Sequence, residues 1–82
     1  MWSEGAIGIP VQDGKTVRFK YQVKHYQTGS EHGINGGRIS KLLIRNCETG
    51  EIAAHYERGW DKEPEEGTPA EIAYCILLNN YN

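Results

Sequence analysis

The sequence TVRFKYQVKHY, residues 16–26, decides the fold because apolar and polar residues alternate along its whole length. A period of two predicts a long β-strand that is covered on one face only. The covered face should hold Val17, Phe19, Tyr21 and Val23, with His25 at its end. The solvent face should hold Arg18, Lys20, Gln22, Lys24 and Tyr26.

The residues before this strand predict a partner for it at the edge of a sheet. Residues 2–11 have a weak strand pattern, in which Gly5, Gly8 and Pro10 favour an edge position or a bulge. Asp13 and Gly14 are a strong hairpin signal, because both central positions of such a turn need a positive φ. We therefore expect an edge strand that forms a hairpin with the long strand.

Two further strands are predicted after a glycine-rich loop at about residues 27–37. Residues 38–47 contain the most hydrophobic run, Leu-Leu-Ile, which favours a central strand or a bulge. A turn at 48–50 would place Gly50 in the left-handed region. The fourth strand, residues 51–58, should direct Ile52, Ala54 and Tyr56 to the covered face.

A helix should start after a polar connection at residues 59–67. Thr68 has the features of its N-cap, Pro69 those of its first residue, and Glu71 completes a capping box with Thr68. The helix should end at Asn79 or Asn80.

The residues of this helix are apolar nearly all round, whereas a helix on one sheet face needs only a stripe. The excess apolar surface predicts that another segment or another molecule packs against the helix. Two covers are possible: a second copy of the chain, in a homodimer through the C-terminal helix, or the N-terminal segment with Trp2 folded over the helix.

These elements predict a single domain, residues 1–82, of the α+β class. The expected architecture is a four-stranded antiparallel β-meander with one C-terminal helix packed on it (β-β-β-β-α). No apolar run is long enough to cross a membrane and the first residues lack a signal peptide, so we expect a cytoplasmic protein with no membrane partner. Cys47 and Cys75 have no metal-binding or redox spacing, and we expect two buried free thiols.

Charge is distributed unevenly along the chain. The net charge of −2 gives no overall attraction to nucleic acid. Basic residues are nevertheless concentrated in residues 15–45, and acidic ones in residues 48–71. A basic sheet face with Tyr26 and His55 nearby is similar to surfaces that bind nucleic acid, although a solvated outer face is the alternative. The candidate nucleic-acid-binding residues are Arg18, Lys20, Lys24, Lys41 and Arg45.

The loop GSEHGINGG, residues 29–37, has four glycines in nine residues. Glycine permits positive φ angles and the close approach of another backbone or a ligand. One hypothesis is that its backbone N–H groups capture a nucleotide or small anion. However, the loop leads into a strand and lacks a phosphate-binding motif. The alternatives are a shaped connection between strands and a protein-binding loop.

No grouping of residues predicts catalysis. His25, His32 and His55 are isolated in the sequence, and neither serine nor cysteine has a nucleophile signature. A domain of this size also has little room for a deep substrate cavity. We therefore expect a protein that is not an enzyme, with no catalytic residues, no metal site and no cofactor.

Two motifs resemble a known family. The motifs are GINGGRISKL, residues 33–42, and RGWD, residues 58–61, together with the Met-Trp start. They resemble a family of short bacterial and phage proteins that is catalogued as a domain of unknown function, over most of the chain. The resemblance implies a small cytoplasmic protein of a mobile element that binds host or competitor machinery, and it supplies no site residues.

The leading hypothesis is a small non-enzymatic binding protein, dimeric, that engages a protein partner through the glycine-rich loop and Trp60. If the protein comes from a phage, the partner would belong to host machinery or defence. A tryptophan flanked by charged groups is typical of interface anchors, and the alternative is that Trp60 closes the end of the core. The candidate protein-binding residues are His32, Asn35, Arg38, Trp60 and Asp61.

Overall fold

A computed structural model describes residues 1–82 and contains one antiparallel sheet and one α-helix. The strands are β1 (Trp2–Pro10), β2 (Thr16–His25), β3 (Ile39–Asn46), β4 (Ile52–Glu57) and β5 (Trp60–Lys62), and α1 spans Pro69–Tyr81. The order of the strands in the sheet is the order in the chain. The α+β class and the antiparallel meander with one C-terminal helix are thus confirmed, but the sheet has five strands instead of the predicted four. No helix has the length and apolarity that crossing a membrane requires.

The fifth strand, β5, lies in the stretch that the sequence assigned to a polar connection. Its residue Trp60 pairs with Tyr56 of β4. Arg58 adopts a left-handed φ of 59° in the turn between the strands, and the Glu57 N–H donates to the Gly59 carbonyl at 2.9 Å. Three residues are too few for an alternating pattern to be recognised, so periodicity carried no signal for this strand.

The hairpin turns follow the sequence signals. Asp13 and Gly14 have φ angles of 64° and 70°, and Gly50 has a φ of 74°. β1 pairs with β2 from Trp2–Lys24 to Pro10–Thr16 and forms one edge of the sheet. The predicted edge strand is therefore confirmed.

The two faces of the sheet have different environments, because α1 packs on only one of them. We call the face under α1 the covered face and the opposite one the open face. The covered face and α1 form a core of Ile9, Phe19, Val23, Ile34, Ile39, Leu42, Ile44, Ala54, Tyr56, Ala70, Ala73 and Leu77. The open face carries the alternate residues, which are Trp2, Glu4, Ala6, Gly8, Arg18, Lys20, Gln22, Lys24, Lys41, Leu43, Arg45, His55 and Glu57.

Neither hydrogen bond of the predicted capping box is formed at the start of α1, where Thr68 is the N-cap residue. Pro69 is the first helical residue, as expected. The Glu71 Oε1 accepts a hydrogen bond from the Gly67 N–H at 3.2 Å. The Thr68 hydroxyl makes no bond to the helix and donates instead to the Glu65 carbonyl at 2.6 Å. The helix ends at Tyr81, one residue beyond the predicted range.

One of the two predicted covers of the helix is wrong. Trp2 does not fold over α1, because it lies on the open face, where the Lys24 Nζ is 5.9 Å from the centre of its ring. α1 leaves Ile72 and Ile76 exposed, at 52% and 36% of their surface. The two thiols are free but exposed, since Cys47 lies past the end of β3 and Cys75 on the outer side of α1. The prediction that they are buried was wrong.

Candidate nucleic-acid interface on the open face

The open face brings together the five basic residues that the sequence proposed. β2 provides Arg18, Lys20 and Lys24, and the register between β2 and β3 places Arg45 opposite Lys20 and Lys41 opposite Lys24. Outward residues repeat about every 7 Å along a strand and about every 5 Å between strands. The five side chains therefore form one basic surface, on which the uncharged pair Gln22 and Leu43 separates the Lys20–Arg45 pair from the Lys24–Lys41 pair.

Two cross-strand pairs on this surface have the same charge, which destabilises a sheet. Part of the repulsion is relieved on β3: the Lys41 Nζ lies 3.1 Å from the Glu57 Oε1, and the Arg45 Nη1 donates to the Gly50 carbonyl at 2.8 Å. The hydrogen bond from Lys41 holds the pKa of the Glu57 carboxyl below its usual value. The basic residues of β2 form no salt bridge.

Two exposed aromatic rings lie at one end of the basic surface. Trp2 and Tyr26 are 57% and 47% exposed, and the Lys24 Nζ lies 5.9 Å and 5.7 Å from the centres of their rings. Such distances are typical of cation–π contacts. A hydrogen bond from Lys24 also lowers the pKa of the Tyr26 hydroxyl. The basic surface is thus continuous with two aromatic groups that remain accessible to solvent.

Trp2 was not among the candidate nucleic-acid-binding residues, although β1 contains a signal for its position. Ile7 and Ile9 are the two β-branched residues of this strand, and Ile9 is buried. A period of two from these residues places every even-numbered residue, including Trp2, on the opposite face.

A shallow depression of about 180 Å³ lies beside Trp2 on the open face. Gln22, Leu43 and His55 form the adjacent row across β2, β3 and β4, and all three line the depression. The His55 Nδ1 lies 3.0 Å from the Asp61 Oδ2, and this contact orients the imidazole ring. Sequence reasoning did not select Gln22 or Leu43, because only the register between the strands places them beside Trp2.

The glycine-rich loop is closed by contacts within the chain. A Cβ atom on Gly33 would overlap the Gly37 carbonyl, and one on Gly37 would overlap the Asn82 side chain. The Asn82 amide accepts from the Ile39 N–H at 3.0 Å and donates to the Ile34 carbonyl at 3.1 Å. Several N–H groups that an anion would need already donate to carbonyls of the loop; they belong to Ser30, Gly33, Gly36 and Gly37.

The five candidate protein-binding residues lie in three different surroundings. His32 and Asn35 are exposed in the loop, and Arg38 is half-buried where the loop ends. Trp60 is half-buried at the margin of the core, where it packs edge-on against Tyr56 and Tyr74 with ring centres 5.0 Å and 5.4 Å apart. Asp61 contacts His55.

The chain belongs to the family described as a domain of unknown function, DUF7678, whose model matches residues 1–82. The resemblance to a domain-of-unknown-function family is therefore confirmed over the full length of the chain. Searches of the curated proteins and of the solved structures gave no match. The description of the family assigns no activity, so function must be argued from the surfaces themselves.

Proposed function

We propose that this protein is a small non-enzymatic binding protein and that its open face binds nucleic acid. The observation that carries the proposal is the register that sets Lys20 against Arg45 and Lys24 against Lys41. Opposite charges at these positions would stabilise the sheet, whereas like charges cost stability. A phosphate backbone lying on the face would neutralise both pairs, because lysine and arginine replace the counterions of the nucleic acid.

The separation of charge between the two sides of the molecule supports this proposal. The open face holds five basic residues against the carboxylates of Glu4, Glu57 and Asp61, the last of which contacts His55. By contrast, Glu63 and Glu71 lie beside Tyr74 on the helix side. Because interactions between exposed charges are screened over about 8 Å at physiological salt, a ligand on the open face responds mainly to the nearby basic residues. The net charge of −2 does not oppose binding there.

The shape of the open face also suits a long, flexible ligand. No helix or loop segment packs over it, and the edge strand places only the small residues Ala6 and Gly8 opposite Lys20 and Arg18. A polymer can therefore lie across β1, β2 and β3 without meeting a bulky side chain beside these two cations. We propose that the protein acts in the cytoplasm of a bacterium or a phage-infected cell, as the resemblance of its motifs implied.

The test is binding of a fluorescently labelled single-stranded oligonucleotide, followed by anisotropy at increasing salt. With three to five phosphate contacts, the logarithm of the binding constant should fall against the logarithm of salt with a slope of about −2 to −3.5. Lys20→Glu should weaken binding and reduce the slope. Lys15→Glu is the matched control, because it makes the same charge change in the β1–β2 turn.

Two results would overturn the proposal. One is failure to bind any oligonucleotide at low salt. The other is equal affinity for polyglutamate of the same charge, since the face would then recognise acidic chains in general, including acidic proteins.

A second candidate function is self-association through the outer side of α1, as expected for a dimer. Ile72, Cys75, Ile76 and Asn79 form one exposed stripe on this side, and none of them is charged. An uncharged stripe can meet its own copy without repulsion, and in an antiparallel pair Ile72 would contact Ile76 of the second copy. We therefore name a second copy of this chain as the occupant.

Sedimentation velocity at micromolar concentrations tests this candidate. The wild-type protein should sediment as a dimer, and Ile76→Glu should produce a monomer, whereas Asn80→Glu introduces the same charge outside the pair of isoleucines. A monomeric wild-type protein would overturn the dimer without affecting the proposal for the open face.

A further inference from the structure

We infer that the depression beside Trp2 holds one unpaired nucleobase, so that the ligand of the open face is a single strand. This inference rests on the proposed function and specifies its ligand. The basic residues explain attraction to any nucleic acid, but they do not distinguish a single strand from a duplex. The groups around Trp2 provide that distinction.

The size and position of the depression suit one heterocyclic ring. Its volume of about 180 Å³ is below the range of about 300–1,000 Å³ that is typical of pockets for drug-sized ligands. Trp2 also lines a second depression with Ser3 and Glu4, and 57% of its surface is exposed. Lys24 lies in the same row across the strands as Trp2 and forms no salt bridge, so it would neutralise a phosphate next to a bound base, whereas Lys41 in that row is paired with Glu57.

The chemistry of the lining matches the surfaces of a base. The exposed indole of Trp2 offers a π-face for stacking, and the Lys24 Nζ lies 5.9 Å from the centre of its ring. Leu43, half-buried in the middle of the sheet, provides an apolar contact. The Gln22 amide carries both a donor and an acceptor for the edge of a base. The His55 Nδ1 contacts the Asp61 Oδ2, so the Nε2 of the same ring is the nitrogen that can form a hydrogen bond with a base.

A duplex cannot use this depression in the same way. Its bases are stacked on one another and paired at their edges, so no π-face is available to Trp2. Removing a base from the stack costs a few kcal/mol, whereas a single strand offers unpaired bases at little cost. Single strands are commonly bound by stacking of bases on aromatic side chains next to basic grooves.

The experiment compares three labelled probes of equal length: oligothymidylate, the same backbone with abasic sites, and a duplex. The wild-type protein should bind oligothymidylate most tightly. Trp2→Ala should weaken binding of oligothymidylate by about 5- to 150-fold, which is the range for loss of one stacked base. It should leave binding of the abasic probe unchanged. Trp2→Phe should retain most of the affinity, and Lys20→Glu should weaken binding of all three probes.

Each result separates this inference from the proposed function. If Trp2→Ala weakens the abasic probe and oligothymidylate equally, Trp2 does not stack on a base, and the inference fails while nucleic-acid binding stands. A wild-type preference for the duplex also overturns the inference alone. If no probe binds, the proposed function itself fails. Circular dichroism of both Trp2 variants verifies that they fold, and Trp2→Phe tests stacking even if Trp2→Ala does not fold.

Discussion

Leu42 and Leu43 are neighbours in β3, yet Leu42 lies in the core and Leu43 on the open face. The same contrast extends over the whole sheet. Under α1, apolar side chains are packed to the exclusion of water, and Val23, Ile39 and Ile44 have no exposed surface. On the other face, like charges oppose each other across two strands. Packing against α1 accounts for the first arrangement, whereas the second costs stability and is the observation on which the proposed binding of nucleic acid rests.

The largest effect should come from the neighbouring leucines. Leu42→Ala leaves a cavity in the core and should lower the free energy of unfolding by about 2–5 kcal/mol. Leu43→Ala removes the same atoms from the open face and should cost about 1 kcal/mol or less. Urea denaturation of both variants measures the difference. Equal decreases in the free energy of unfolding would show that Leu43 is buried in solution and would contradict the difference between the two faces.

The two tryptophans provide the next largest contrast. Trp60→Ala removes the ring that packs against Tyr56 and Tyr74, and it should cost about 2–3 kcal/mol, below the range for a fully buried tryptophan. Trp2→Ala should change stability by no more than about 0.5 kcal/mol, because its ring is exposed. Thermal and urea unfolding measure both. If Trp60→Ala were as stable as the wild type, the core position of Trp60 would be contradicted.

A smaller effect should appear at the edge of the covered face, where His25 lies against Ser3 and Tyr81. Burial lowers the pKa of His25 below its ordinary 6.5, and the positive N-terminus and Arg38 add to this. The unfolded chain therefore takes up a proton at a higher pH than the folded chain. Stability should be fully present above pH 6.5 and should decrease as the pH falls from there towards the lower pKa.

The measurement is urea denaturation at a series of pH values for the wild type and His25→Gln. The glutamine keeps a hydrogen-bonding group near Ser3 but cannot take up a proton. Its stability should therefore depend less on pH below 6.5. If the stability of His25→Gln depends on pH as strongly as that of the wild type, the group that takes up the proton is not His25.

The smallest effect should have the opposite sign. Lys20→Gln removes one of two like charges that face each other, and it should raise the free energy of unfolding by about 0.2–0.5 kcal/mol. The same variant should bind oligonucleotides more weakly. Lys15→Gln, outside the sheet, is the control for the general effect of removing a positive charge. A loss of stability in Lys20→Gln would contradict the cost that we assign to the basic surface.

Local signals in the sequence were sufficient for much of the fold. The alternation in residues 16–26, the turn at Asp13 and Gly14, and the helix start at Pro69 were all predicted correctly. Each of these three features depends on only a few consecutive residues. The strand follows from the period of two, the turn from positive φ angles, and the helix start from the proline, which has no backbone N–H. The same alternation placed Arg18, Lys20 and Lys24 on one face, whereas the register between β2 and β3 is what sets Lys41 and Arg45 beside them.

The rest depended on residues that are distant in the chain. The position of β5 is fixed by contacts of Trp60 with the rings of Tyr56 and Tyr74. The three residues of this strand are too few to show an alternating pattern. The glycine-rich loop has its shape because the Asn82 amide bonds to Ile34 and Ile39. Neither set of contacts can be predicted from the pattern of consecutive residues, because the partners are far apart in the sequence.

By itself, therefore, the sequence determined which residues alternate, where the chain turns and where the helix begins, because these choices are made by neighbouring side chains and backbone angles. Only the tertiary structure decided that Trp2 and Tyr26 flank Lys24, that Lys20 faces Arg45, and that Trp60 packs against the margin of the core. These arrangements depend on strand register and on the single face that α1 covers. A shift of one residue in register would turn every side chain of a strand to the opposite face.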